Sequence, residues 1–216
     1  MYPGKYGAQH PDRPAFIMAE SGETVSYRDY EARCNKLAHL LRARGLARLD
    51  HYAIFMENHV RYLETCGAGE RAGLYYTCVN SYLTAEELAY IVNNSESQVL
   101  ITSEHRREVA LAALADCPHV QLCIVVDGPG DGERAVNLDE ATAGFPDTPI
   151  ADECLGTAML YSSGTTGQPK GILRPLPEEP PEYALPVFQY LMNMWRHREG
   201  MIHLIPAPLY HSAPHG

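Results

Sequence analysis

The sequence predicts an α/β domain: layered, mostly parallel sheet with flanking helices. Strand-type and helix-type segments alternate along most of the chain, which is the pattern of βαβ units. The strand candidates are short continuous apolar runs, such as Tyr52-Ala53-Ile54-Phe55-Met56, and such runs suit strands covered on both faces. A chain of 216 residues, 45% hydrophobic and 20% charged, is long enough to bury about 70% of its unfolded surface around its own core.

The elements follow in order. Residues 15–19 read as a short strand. Ser26 is placed as an N-cap with Asp29 three residues on, a variant capping box. Tyr30, Cys34, Leu37, Ala38 and Leu41 then form an amphipathic stripe, and Gly45 is placed to end that helix. Residues 52–56 form the next strand. A helix is expected over 60–72, although Gly67 and Gly69 weaken it. Residues 74–79 are strand-type. Thr84 caps a second clear helix, with Glu87 completing the box and Leu88, Ile91 and Val92 on its apolar face.

Strands are expected over 99–101 and 120–126, with a helix over 106–115 between them. Asp127-Gly128-Pro129-Gly130 is a turn. Residues 128–153 read as irregular, with one helical turn near 138–141, and 157–161 as a further buried strand. The last third changes character. Pro175, Pro177, Pro180, Pro181 and Pro186 crowd residues 174–186, alongside Glu178, Glu179 and Glu182. That composition predicts an exposed, stiff, extended loop. A helix over 190–198 and a strand over 201–205 follow.

Seventeen Lys and Arg against 27 Asp and Glu leave a net charge of −10. That balance argues against a nucleic-acid or bilayer-surface partner, both of which are polyanionic. The composition also excludes a disordered acidic tail or a low-complexity scaffold. The start of the chain, Met1-Tyr2-Pro3-Gly4-Lys5, lacks the apolar core of a secretory signal. No apolar run approaches the ~20 residues of a membrane helix. The six cysteines, Cys34, Cys66, Cys78, Cys117, Cys123 and Cys154, lack CxxC spacing and read as reduced, buried thiols of a cytoplasmic protein.

The chemistry concentrates in Tyr161-Ser162-Ser163-Gly164-Thr165-Thr166-Gly167-Gln168-Pro169-Lys170-Gly171. Glycines let successive backbone N–H groups converge on one anion, hydroxyls add donors, and Lys170 adds a point charge. Composition by itself leaves a small-residue surface loop and a phosphate cradle equally open. The run is neither a Walker loop, because two residues separate Gly164 from Gly167 and Gly171 follows Lys170, nor a G-x-G-x-x-G turn.

This run resembles the phosphate-loop signature of the adenylate-forming superfamily: acyl-CoA synthetases, luciferases and peptide-synthetase adenylation domains. The resemblance extends along most of the chain. His10-Pro11-Asp12-Arg13-Pro14-Ala15 resembles the family's opening. Ser26-Tyr27-Arg28-Asp29-Tyr30, Asn35-Lys36-Leu37-Ala38 and Leu41-Arg42-Ala43-Arg44-Gly45 resemble its first long helix. Leu83-Thr84-Ala85-Glu86-Glu87-Leu88-Ala89-Tyr90-Ile91 resembles the helix after its Gly-to-Asn strand, here Gly73 to Asn80. Pro208-Leu209-Tyr210-His211-Ser212-Ala213-Pro214 resembles the motif in which an aromatic-His pair borders the acyl and adenylate site.

The resemblance implies ATP, Mg²⁺ and CoA as cofactor and co-substrates. Ser162, Ser163, Gly164, Thr165, Thr166, Gly167 and Lys170 are then the residues for the β- and γ-phosphates, with hydroxyls available to Mg²⁺. His211 is the catalytic candidate, beside the substrate carboxylate. The expected reaction joins a carboxylic acid, preferably a fatty acid, to CoA through an acyl-adenylate. An aryl- or amino-acid-activating enzyme is the alternative within the family, and a nucleotide-binding module without turnover is the alternative outside it.

No metal site of protein ligands is assigned: His211 and His215 are four apart, but Pro214 between them opposes a helix. Tyr210 reads as pocket wall, the cysteines as core filling, and Glu178-Glu179 as a solvated face. Self-association is left open. The family's later motifs, including its Thr-Glu pair, ribose-binding Asp and adenylation lysine, are not among these residues. Ile172-Leu173-Arg174-Pro175-Leu176 also departs from the polar pair that many members carry there. The expectation is therefore an incomplete N-terminal AMP-binding domain over 1–216, without the C-terminal domain and inactive by itself.

Overall fold

The computed structural model of the chain describes residues 2–132, 134–162, 168–198 and 200–211. A short helix, α1 (Gly4–Gln9), precedes an antiparallel hairpin of β1 (Pro14–Ile17) and β2 (Thr24–Ser26). Helix α2 (Tyr27–Ala43) starts where the sequence places it. Ser26 Oγ accepts the Asp29 N–H at 3.1 Å and donates to the Asp29 carboxylate at 2.7 Å. Gly45, at φ 88°, follows the helix end in a left-handed conformation that a side chain resists.

The core alternates strand and helix. In order come β3 (His51–Phe55), α3 (Tyr62–Arg71), β4 (Tyr75–Cys78), α4 (Ala85–Asn94) and β5 (Val99–Ser103). A 3₁₀ turn (Glu104–Arg106), α5 (Arg107–Leu114), β6 (Leu122–Val126), β7 (Ala135–Asn137), α6 (Leu138–Thr142) and β8 (Thr157–Ala158) complete it. Six of these strands form one sheet in the order β7-β6-β5-β3-β4-β8, and every pairing in it is parallel. The predicted fold class is therefore the observed one.

Alternate side chains along each strand leave on opposite faces. Tyr52, Ile54, Val99, Ile101, Leu122 and Ile124 pack with Leu37, Leu41, Tyr62 and Cys66 of α2 and α3. Ala53, Phe55, Leu100, Cys123 and Val125 pack with Leu88, Ile91 and Val92 of α4 and with Ala110 and Leu114 of α5. The chain passes from β3 through α3 to β4, then back through α4 across β3 to β5. The carboxyl ends of neighbouring β3 and β5 thus feed helices on opposite faces, where an open α/β sheet forms a crevice.

The two glycines that weaken α3 on propensity are the ones its packing requires. A Cβ on Gly67 would stand 2.7 Å from Cys34 Sγ, and one on Gly69 would stand 2.8 Å from the Tyr52 ring. The helix lies against α2 and the sheet at those two points. Beside them Arg71, fully buried, donates to Glu31 at 2.9 and 3.1 Å, to Asn35 Oδ1 and to the Gly67 carbonyl at 3.0 Å.

The structure also departs from the expectations. Residues 157–161 are not one strand: β8 joins the large sheet, and after Met159 the chain enters β9 (Leu160–Tyr161), which pairs antiparallel with β10 (Gly171–Ile172). The proline-rich stretch is exposed along most of its length and forms no helix or strand before α7, as expected, but it is anchored. Its carbonyls at Arg174, Leu176 and Glu179 accept from Tyr75 Oη at 2.6 Å, Arg48 Nη2 at 2.7 Å and Leu155 N–H at 2.8 Å, and Leu176 is buried.

The following helix, α7 (Pro186–Met194), starts four residues earlier than the expected 190–198, because Pro186 suits the first helical turn. Residues 201–205 form no strand: Ile202 and Leu204 are exposed and no partner strand lies beside them among the described residues. All six cysteines are free and buried, as expected.

Candidate functional site

The two described ends of the Gly/Ser/Thr run lie on the β9–β10 hairpin. Tyr161 pairs with Gly171 and Leu160 with Ile172. One step further in, Ser162 N–H donates to the Lys170 carbonyl at 3.0 Å, and Lys170 N–H donates to Ser162 Oγ at 3.4 Å. The structure thus brings Ser162 and Lys170 face to face at the mouth of the loop, both exposed. The remaining predicted binding residues, Ser163, Gly164, Thr165, Thr166 and Gly167, lie outside the described residues.

Gly171 is crowded by the Met159 methyl, which a Cβ would meet first, and by the Tyr161 ring. A Cβ there would stand 3.0 Å from Tyr161 Cζ and 3.1 Å from its hydroxyl. Both arms of the hairpin also touch α4. Tyr161 Oη donates to Asn94 Oδ1 at 2.7 Å, and Tyr90 Oη donates to the Pro169 carbonyl at 3.0 Å. Burial, with Tyr90 adding to it, pushes the Tyr161 phenol up to about 12. Its hydroxyl is therefore a proton donor throughout the neutral range.

His211 lies on a different segment, at the carboxyl edge of the large sheet. Asn58, just past β3, holds that segment. Its Oδ1 accepts the Leu209 N–H at 2.7 Å and its Nδ2 donates to the Ala207 carbonyl at 3.4 Å. The His211 N–H donates to the Pro208 carbonyl at 3.0 Å and closes a turn. The turn leaves the His211 ring exposed, 4.7 Å from the Tyr210 ring.

Burial raises the Tyr210 phenol, with neighbouring Tyr82 adding to the rise and Arg106 opposing it. The Arg106 guanidinium lies over the Tyr82 ring at 5.2 Å. Behind them Ser103 Oγ donates to Glu57 Oε2 at 2.7 Å, which joins the ends of β3 and β5. Helix α4 spans the distance between the two groups, starting just after Tyr82 and ending at Asn94. A groove of about 610 Å³ lies on the far side of β8, with Leu155, Phe188, Leu191 and Trp195 among its walls.

Sequence reasoning did not find Asn58, Tyr90, Asn94, Tyr82 or Arg106. Tyr90 and Asn94 carry a weak signal, since their spacing of four puts both on one side of α4, off its apolar stripe. Asn58 carries none, because its partners stand more than a hundred residues away. No group of three or more His, Cys, Asp or Glu side chains is arranged around a common point among the described residues. The hydroxyls of the loop are hard oxygen donors of the kind Mg²⁺ takes.

A helix-covered parallel sheet, with a two-stranded hairpin carrying Ser162 and Lys170 at one side and a His-bearing turn at its carboxyl edge, defines an α/β protein. Residues 5–215 match the AMP-binding enzyme family, and the chain belongs to that family. The resemblance to adenylate-forming enzymes, and among them to acyl-CoA synthetases, is thereby borne out.

The chain is 29% identical over 208 residues to the long-chain-fatty-acid–CoA ligase FadD13 of Mycobacterium tuberculosis, covering 94% of this chain and 39% of that protein. It is 33% identical over 162 residues to a feruloyl-CoA synthase of Amycolatopsis sp, covering 74% of this chain and 30% of that one. It thus spans less than half the length of these curated relatives.

Among solved structures, a putative long-chain-fatty-acid CoA ligase from Rhodopseudomonas palustris superposes with a TM-score of 0.76 at 25% identity, over 96% of this chain and 50% of that one. An anthranilate CoA ligase bound to anthranoyl-AMP has a TM-score of 0.67 over 76% of this chain and 32% of that one; at 20% identity it shows the fold alone. Among the described residues no helix is long and apolar enough to cross a membrane.

Proposed function

We propose that residues 1–216 belong to the N-terminal, AMP-binding domain of a cytoplasmic, ATP-dependent acid–CoA ligase. The single observation that carries this reading is the family match over 5–215, joined to a hairpin that sets Ser162 against Lys170. In this reading Ser162, Ser163, Gly164, Thr165, Thr166, Gly167 and Lys170 hold the β- and γ-phosphates of ATP. Charge-assisted bonds to phosphate are each worth about 1.5–3 kcal/mol, so several together restrain a polyphosphate. Mg²⁺, taken by the loop hydroxyls, supplies charge neutralisation.

The chemistry is then one of positioning. A carboxylate oxygen of the acid attacks the α-phosphorus of ATP. A P–O bond forms, the bond to the bridging oxygen breaks, and pyrophosphate leaves with the charge that Lys170 faces. In the second step the CoA sulfur attacks the acyl carbon, AMP leaves, and the thiol proton passes to solvent. His211 is the residue that orients the carboxylate. The names of the relatives support a carboxylic acid as the substrate class. Fatty acids are favoured over aromatic ones by the FadD13 likeness and by the apolar groove beside β8.

Calorimetric titration of the 216-residue chain with MgATP tests the phosphate assignment. Binding that is lost in Thr165→Ala and in Lys170→Ala supports it, and binding unchanged in both removes it. The chain alone is proposed not to turn over, since it spans only 39% of FadD13. Robust pyrophosphate release with a fatty acid, ATP and CoA contradicts that. Binding without turnover even when the full-length sequence is assayed would favour a nucleotide-binding module.

A further inference from the structure

We propose that Tyr90 and Asn94 of α4 are positioning residues that hold Ser162 and Lys170 in place on the β9–β10 hairpin, and through them the grip on phosphate. The inference rests on the reading of the Gly/Ser/Thr run as the ATP-phosphate site and deepens it. Its ground is a weakness of the hairpin itself. Each arm is a strand of two residues, and the pair stands outside the six-stranded sheet. A hairpin that short does not hold its own shape in water. The facing bonds between Ser162 and Lys170 are too few to fix where those residues point.

Helix α4 supplies what the ladder lacks. Its inner face is committed to the core through Leu88, Ile91 and Val92. Its start is fixed by the reciprocal Thr84–Glu87 capping box. Tyr90 and Asn94 lie one helical turn apart on one side of this anchored element. Asn94 accepts from Tyr161, on the arm that enters the loop, and Tyr90 donates to the carbonyl of Pro169, on the arm that leaves it. One rigid helix thus pins both arms by side-chain hydrogen bonds placed within one residue of Ser162 or Lys170, and Ser95 at its C-cap adds a contact to the Tyr161 hydroxyl. Proline at 169 strengthens the second pin, because its fixed φ limits how far that arm can swing.

The Tyr90 hydroxyl and the Asn94 amide oxygen are both engaged on the hairpin arms. Their effect on phosphate binding therefore passes through the hairpin, and a double-mutant cycle isolates it. The chain is titrated with MgATP and with inorganic pyrophosphate, and its unfolding midpoint is measured without ligand. Tyr90→Phe and Asn94→Ala each weaken both ligands about fivefold, the worth of one neutral hydrogen bond, while the unfolding midpoint stays close to wild type. Tyr161→Phe removes the Asn94 bond from its other end. Because Tyr161→Phe also removes the Ser95 contact, the Asn94→Ala/Tyr161→Phe pair is no worse than Tyr161→Phe alone, whereas Tyr90→Phe/Asn94→Ala is worse than both of its single variants.

Wild-type affinity in Tyr90→Phe and Asn94→Ala, alongside lost affinity in Lys170→Ala, overturns the inference and leaves the phosphate assignment standing. Additive losses in the Asn94/Tyr161 cycle overturn it as well. A wild-type chain that binds neither ligand overturns the phosphate assignment, and the inference with it.

Discussion

Asn58 and Leu209 are joined by a 2.7 Å hydrogen bond from the Leu209 N–H to the Asn58 side-chain oxygen Oδ1. The same side chain reaches the Ala207 carbonyl at 3.4 Å. One amide at the carboxyl end of β3 thereby carries the turn that presents Tyr210 and His211. Asn58→Ala leaves the Leu209 N–H without its partner, at a cost of about 1–3 kcal/mol. Hydrogen exchange at the Leu209 amide is expected to speed up roughly tenfold or more, with amides of β3 and β5 unchanged. Equal exchange in variant and wild type contradicts the assignment.

Glu64 gives stability a pH dependence of unusual sign. Burial pushes its carboxyl up to about 7, against the lowering pull of Arg61 at 2.6 Å and Arg33 at 3.6 Å. The folded chain therefore keeps a proton that the unfolded chain releases near its ordinary value of 4.5. Raising the pH between those values favours the unfolded state. Glu64 is expected to cost about 3 kcal/mol by pH 7 relative to pH 4. Denaturant midpoints of wild type and Glu64→Gln, followed across that window, should diverge as pH rises and run parallel above it.

Arg71 is wholly buried and ties α2 to α3 through Glu31, Asn35 and the Gly67 carbonyl. Arg71→Met fills similar space but leaves Glu31 and Asn35 without their cation. A loss of about 3–5 kcal/mol is expected, the usual result of removing one partner from a buried pair. Urea unfolding reads it directly, and a loss under 1 kcal/mol would show that the cluster is not buried in solution.

Gly156 lies where β8 docks beside β4. A Cβ at that position would stand 2.7 Å from the Leu74 carbonyl oxygen and 2.8 Å from the Gly69 carbonyl carbon, both backbone atoms that cannot swing aside. Gly156→Ala is expected to destabilise by about 3 kcal/mol through overpacking. The unfolding midpoint checks it, and an unchanged midpoint would contradict the close approach.

The parallel core was legible because its strands are apolar runs and its long helices carry stripes and caps. Ser26 and Thr84 both cap the helices they were expected to cap. What escaped was local structure with tertiary causes. Helix α1 has six residues and no side-chain cap, and β7 borrows its order from β6. Residues 201–205 show the converse, since apolar β-formers such as Ile202 make no strand without a partner beside them. At the candidate site, the loop composition and His211 stood out in one dimension. The groups that hold them, Asn58, Tyr90 and Asn94, did not, because each acts through one long-range hydrogen bond rather than through a periodic pattern.

The strand order has a kinetic corollary. From β3 to β6, each strand is followed by a helix that returns the chain to a strand one or two places away, so those pairings close short loops. Strand β8 instead pairs Tyr75 with Thr157, across the whole intervening stretch of chain, and long closures carry the larger entropic cost. The loop-bearing hairpin follows β8 in sequence and leans on α4, which must already be packed. Assembly is therefore expected to finish at this edge: the central strands gain exchange protection first, and Tyr161 and its hairpin become ordered in the last step of refolding.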